Sequence, residues 1–161
     1  TQFVDAEPET IDFVMDVNIK GAFNCTQAVL PTMIEKRWGK IINMSSIAAV
    51  CGLKQRTDYA AAKAALIGMA RALTLEVGQY NICVNCVSPG AIARDGNTHG
   101  HMTHLGEDGR MGEPKDIADT VLFLAEQDFI TGENICIDGG MTKQMIYHDD
   151  FGWKYDSSEE K

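Results

Sequence analysis

Tyr59 and Lys63 stand four residues apart in the run Tyr-Ala-Ala-Ala-Lys. Alanine is the strongest helix former, so this stretch is expected to be helical. An i, i+4 spacing then puts the phenol and the ammonium on one face, one turn apart. A cation beside a phenol favours the phenolate, which draws a group that ordinarily titrates near pH ~10 toward neutrality. Such a tyrosine can give or take a proton at working pH, as a general acid or base must. Two residues on an ordinary helix surface would show the same spacing. What sharpens the reading is a pair of hydroxyls, Ser45-Ser46, directly after the apolar run Ile41-Ile42-Asn43-Met44.

The elements that must position these groups can be read from periodicity. Pro8 suits a first helical turn. From there to about Lys36, apolar residues such as Ile11, Val14, Met15, Ile19, Phe23, Val29 and Met33 recur at helical spacing. The expectation is one long, kinked helix, interrupted at Gly21 and Pro31, with Asn18 near its middle. Lys40–Ser45 reads as a short strand. Tyr59–Val77 reads as a second long helix, rich enough in alanine for another helix to approach closely. Ile82–Val87 is continuously apolar except for Asn85, as in a strand covered on both faces, and Pro89-Gly90 ends it. The stretch 91–112 has no sustained period and reads as a lid or a disordered segment. A helix capped by Glu113 or Asp116 then runs to about Glu126, and Ile135–Asp138 is a third strand before Gly139-Gly140. Helices and strands in this order imply an α/β fold: a parallel sheet with right-handed crossovers and helices on both faces. Ligands of such sheets bind outside the carboxyl ends of the strands, where Ser46, Pro89-Gly90 and Gly139-Gly140 fall.

The chain has 161 residues, enough for one domain with a real core. Its formal charge of −9 is concentrated at the ends. Residues 1–16 hold five acids and no base, and residues 148–161 hold five acids against Lys154 and Lys161. The nearly neutral middle offers no basic patch to nucleic acid or anionic lipid. No apolar run approaches the roughly 20 residues that span a bilayer. Five cysteines, an odd number, suit the reduced thiols of a cytoplasmic protein. Cys83 and Cys86 form a C-x-x-C pair in a strand, where residues three apart point to opposite faces and cannot share a metal.

With these residues in place, the chain resembles the short-chain dehydrogenase/reductase family. Ser46, followed thirteen positions later by the Tyr59-x-x-x-Lys63 pair, carries the resemblance first. Four further blocks agree: Val17 to Phe23 around Asn18, Asn85 to Ile92 around Pro89-Gly90, Arg110 to Ala118, and Ile130-Thr131-Gly132-Glu133 through Asp138-Gly139-Gly140. The resemblance implies part of a Rossmann-like, doubly wound parallel sheet, its C-terminal three strands with flanking helices. It implies an NAD- or NADP-dependent oxidoreductase that interconverts a secondary alcohol and a ketone. Tyr59 would be the acid/base, Ser46 would hydrogen-bond the substrate oxygen, and Lys63 would favour the phenolate and hold the nicotinamide ribose. Asn18 would hold a water of a proton relay. Pro89, Gly90 and Ile92 would face the carboxamide end of the nicotinamide. The substrate is of 3-oxoacyl, sugar or steroid type, and the two long helices would pair subunits into a homodimer or homotetramer.

The departures from the family pattern also carry expectations. The Gly-rich strand–turn–helix that holds the adenosine half of the cofactor does not precede Thr1, which suggests a fragment. As an alternative to the enzyme, the chain would be a truncated, non-catalytic subunit that pairs through its two long helices. Arg94 stands where the family usually has a threonine; it would reach a cofactor phosphate or anionic substrate, or simply be solvated. His99, His101 and His104 in the lid lack an acid or cysteine to complete a metal site, so a polar lid is expected. The chain thus reads as one domain over 1–147 and an acidic, aromatic tail over 148–161.

Overall fold

In the computed structural model, residues 2–93 and 110–143 are described. Three parallel strands make the sheet in the order β1 (Gly39–Met44), β2 (Ile82–Pro89) and β3 (Asn134–Ile137). Around them run α1 (Pro8–Met15), a π-helical turn (Asp16–Lys20), α2 (Gly21–Lys36), a short α3 (Ala48–Cys51), α4 (Thr57–Val77) and α5 (Pro114–Glu126). This is the partial Rossmann-like α/β sheet the sequence leads one to expect. Among the described residues, no helix is long and apolar enough to cross a membrane.

The first long helix is continuous from α1 through α2, because Asp16 and Gly21 keep right-handed helical angles. Its interruption is not at Gly21 or Pro31 alone. The turn Asp16–Lys20 is widened, with the Gly21 N–H bonded to the Asp16 carbonyl five residues back. Such π turns are rare and recur at functional sites. The helix ends where Arg37 takes a left-handed conformation (φ 52°) and the Trp38 N–H reaches the Met33 carbonyl at 3.2 Å, a six-to-one closure. Gly39 follows because a Cβ there would lie 2.6 Å from the Met33 sulfur.

β2 is buried along nearly its whole length, and its two faces pack against different layers. Ile82, Val84 and Cys86 join Ile41 of β1 and Leu66, Ala70 and Val77 of α4 in the main core. Cys83 and Asn85 face the other way: the Cys83 thiol points to the Asp128 carbonyl just past α5, and Asn85 Nδ2 donates to the Ile130 carbonyl at 2.8 Å. The C-x-x-C sulfurs therefore diverge, as strand geometry requires; Cys86 donates instead to the Leu66 carbonyl of α4 at 3.3 Å.

The same alternation corrects one expectation. α4 and α5 cover opposite faces of the sheet, while β1, β2 and β3 follow one another in a single direction across it. Two successive crossovers in one direction on opposite faces have opposite hands, so only one of them can be right-handed. The preference for right-handed connections comes from tight packing of a helix that follows its strand directly. In the second crossover the helix does not follow its strand directly: β2 ends at Pro89 and α5 begins at Pro114.

Candidate active site

The carboxyl ends of β1 and β2 are tied together beyond the strands themselves. The Ser45 N–H bonds to the Val87 carbonyl at 2.8 Å and the Ile47 N–H to the Pro89 carbonyl at 3.1 Å. The loop carrying Ser46 is thereby pinned beside the Pro89 turn. Ser46 Oγ accepts from the Ala48 N–H at 3.2 Å, the hydroxyl turn that opens α3. That bond uses a lone pair and leaves the hydroxyl proton available.

Tyr59 and Lys63 lie in the first turns of α4, both half-buried. Helical spacing brings the Lys63 ammonium to 5.6 Å from the centroid of the Tyr59 ring, within the range of a cation–π attraction. Lys63 Nζ also donates to the Met44 carbonyl at the end of β1, at 2.8 Å. Burial lowers the pKa of Lys63 from its ordinary value, because a partly desolvated ammonium is harder to keep charged. The structure thus brings Tyr59, Lys63 and the strand end bearing Ser46 together.

Asn18 sits in the π turn, which packs against α4. Its Nδ2 donates to the Val14 carbonyl of its own helix at 3.0 Å. The side chain is therefore held by its own helix and makes no direct bond to Tyr59 or Lys63.

Pro89, Gly90 and Ile92 lie at the end of β2, on the side toward β3. The Gly90 N–H bonds to the Ile137 carbonyl at 2.9 Å. A Cβ on Gly90 would stand 2.8 Å from both Cα and Cβ of Asp138, so only glycine allows this approach. Ile92 forms an isolated bridge to Gly112 and lines a cleft of about 220 Å³ with Ala91, Asp138 and Gly139. Burial would raise the pKa of Asp138, but hydrogen bonds from Thr142 and Gly140 outweigh it and hold the carboxylate below its ordinary value. A larger recess of about 500 Å³ opens between the N-terminal segment and residues 54–58, beside the start of α4. None of the sequence-predicted site residues lines it.

Two participants carried little sequence signal. The Met44 carbonyl is a backbone acceptor and is invisible in residue types. Ser45 was visible as the first of two serines, but strand alternation sends it to α4, where it donates to the Lys63 carbonyl at 2.9 Å. Arg94, the lid histidines and the tail lie outside the described residues.

A family profile described as "Enoyl-(Acyl carrier protein) reductase" matches residues 1–142. The (2S)-[(R)-hydroxy(phenyl)methyl]succinyl-CoA dehydrogenase subunit of Thauera aromatica is 42% identical over 137 residues, covering 80% of this chain and 55% of that protein. A 3-oxoacyl-[acyl-carrier-protein] reductase of Thermotoga maritima is 41% identical over 146 residues, covering 86% of this chain and 59% of its own length. Among solved structures, a putative oxidoreductase from Escherichia coli K-12 superposes with a TM-score of 0.84 at 30% identity, over 96% of this chain and 62% of that one. The chain thus spans a little over half the length of these relatives. By profile, by identity and by fold, it belongs to the short-chain dehydrogenase/reductase family.

Proposed function

We propose that the protein of which this chain is part is an NAD- or NADP-dependent oxidoreductase interconverting a secondary alcohol and a ketone, with Tyr59 as its acid/base. The carrying observation is the Lys63 ammonium, held 5.6 Å from the Tyr59 ring by its bond to the Met44 carbonyl, at the carboxyl ends of the strands. A fixed positive charge there stabilises negative charge building on the phenol oxygen. Tyr59 delivers a proton to the carbonyl oxygen in reduction and removes it from the alcohol in oxidation. Ser46, its hydroxyl proton uncommitted, donates to the same oxygen. Asn18, placed by the π turn against α4, holds a water that connects Lys63 to solvent.

The residues present suit the nicotinamide end of a dinucleotide. At about 220 Å³ the cleft beside Gly90 and Ile92 is smaller than the ~300–1,000 Å³ of an ordinary ligand pocket, so it takes a part of the cofactor. Pro89, Gly90 and Ile92 would face the carboxamide, and Tyr59 and Lys63 the ribose hydroxyls. When bound, the nicotinamide supplies or accepts the hydride. The name of the Thermotoga maritima relative favours a 3-oxoacyl compound as substrate. Exposed Phe13, Val17 and Phe23 on the first long helix support pairing of subunits through the long helices. Five free cysteines suit a cytoplasmic location.

A second reading, a non-catalytic subunit, draws on one observation: among the described residues the outer edge of β1 has no partner strand. Calorimetric titration of this chain with NADH and NADPH, beside turnover assays on a ketone and alcohol panel, separates the two. Cofactor binding with turnover supports the enzyme. Neither binding nor turnover supports the second reading for this chain.

A further inference from the structure

Ser45 has no role in the chemistry above, yet it is only 3% exposed, more deeply buried than Ser46. Its hydroxyl donates to the Lys63 carbonyl at 2.9 Å, while the Lys63 ammonium donates to the Met44 carbonyl at 2.8 Å. The two bonds run in opposite directions between adjacent residues at the end of β1 and a single residue of α4. Together they close a ring that ties both the backbone and the ammonium of Lys63 to the strand. The next polar tie from the sheet to α4 is Cys86 to Leu66, three residues further along the helix and away from Tyr59. Ala62 and Leu66 pack this turn of α4 into the core. Without the Ser45 bond, however, its one polar tie to the end of β1, among the described residues, is the lysine's own long side chain, which has four rotatable bonds to immobilise.

We propose that Ser45 is a positioning residue for Lys63, its hydroxyl fixing the helix backbone so that the ammonium stays on the Met44 carbonyl beside Tyr59. The proposal rests on the assignment of Lys63 to the proton-handling site, but its test does not use turnover. Ser88 is the natural comparison. It is fully buried in the same sheet, and its hydroxyl bonds to Asn134 Oδ1 at 2.6 Å, with no hydrogen bond to α4 among the described residues. Replacing either serine with alanine removes one buried hydrogen bond, but only Ser45→Ala releases Lys63.

The experiment follows the Lys63 side-chain resonances by NMR in the whole chain, across a pH titration and by ammonium proton exchange, alongside thermal unfolding. In Ser45→Ala the Lys63 titration should move up toward the ordinary lysine range, and its ammonium protons should exchange severalfold faster. In Ser88→Ala the unfolding temperature should fall while the Lys63 signals stay in place. Should Ser45→Ala fail to fold, Ser45→Cys keeps the side-chain shape, with a somewhat larger atom that is only a weak donor, and is held to the same outcome. Unchanged Lys63 titration and exchange in the Ser45 variant, or equal changes in the Ser88 variant, would overturn the proposal. Absence of turnover in the parent chain would count against the oxidoreductase reading alone.

Discussion

The Lys63 ammonium lies 5.6 Å from the centroid of the Tyr59 ring while bonded to the Met44 carbonyl. A lysine in that position does two things at once. It places positive charge beside a phenol, and it locks the first turns of α4 to the end of β1. The burial that makes this possible also makes the charge costly.

That cost has a sign that can be checked. The folded pKa of Lys63 is lowered, so between it and the unfolded value near ~10.4 the unfolded chain binds more protons. In that window the contribution of Lys63 makes stability rise with pH; below it the penalty is fully present. Comparing unfolding free energy against pH for the parent and Lys63→Met, the parent should gain relative to the variant as pH rises through the window. A difference independent of pH would contradict it.

At the start of α5 the sign is reversed. The Arg110 guanidinium, 3.1 Å from Asp116 Oδ2, and the Glu113 N–H hold the Asp116 carboxylate below its ordinary value. The stability it contributes is present above the unfolded pKa and lost as pH falls through the folded one. Asp116→Asn should flatten that acid-side loss and, near neutral pH, cost about 1 kcal/mol or less, since the pair is solvent-exposed. Unfolding monitored by circular dichroism from neutral pH down through the carboxylate range, below about pH 4, measures both.

Gly90→Ala tests the approach of the β2 turn to β3. The new Cβ would meet backbone and Cβ atoms of Asp138 at 2.8 Å, neither of them the end of a flexible side chain. A loss of about 1–3 kcal/mol is expected from overpacking, read as a lower denaturant midpoint. A neutral substitution would show that the turn is looser than described.

Thiol reactivity should follow the faces of the sheet. Burial pushes the Cys86 thiol up to about 11, against a smaller opposing effect of Arg71, whereas Cys25 and Cys51 are exposed. Alkylation of the native protein at mildly alkaline pH should modify Cys25 and Cys51 first and Cys86 only on unfolding. Mass mapping of the modified peptides gives the order.

Much of this architecture was legible in the residues because it depends on local pattern. The unbroken apolar run of β2 announced a strand covered on both faces, and Pro114 with Asp116 announced the start of α5. The Tyr59–Lys63 pair needed only helical spacing. The π turn at Asp16–Lys20 was hidden because a widened turn leaves the apolar pattern of a long helix nearly intact. The sides taken by α4 and α5 depend on which strand face each helix finds, a tertiary choice that order along the chain does not encode. Ser45 and Ser46 are alike in type and neighbours in sequence. Strand alternation sends one hydroxyl to the Lys63 backbone and leaves the other at the loop, a distinction that needs the register of β1 against α4.

The central claim, that Tyr59 handles the proton of a hydride-transfer reaction, is tested most directly by Tyr59→Phe. This substitution keeps the ring beside Lys63 and removes only the hydroxyl. With turnover followed by nicotinamide absorbance on a ketone that the parent protein reduces, kcat/KM should fall by about 10²–10⁴-fold, with the circular dichroism spectrum unchanged. A variant that folds and turns over as fast as the parent would contradict the account.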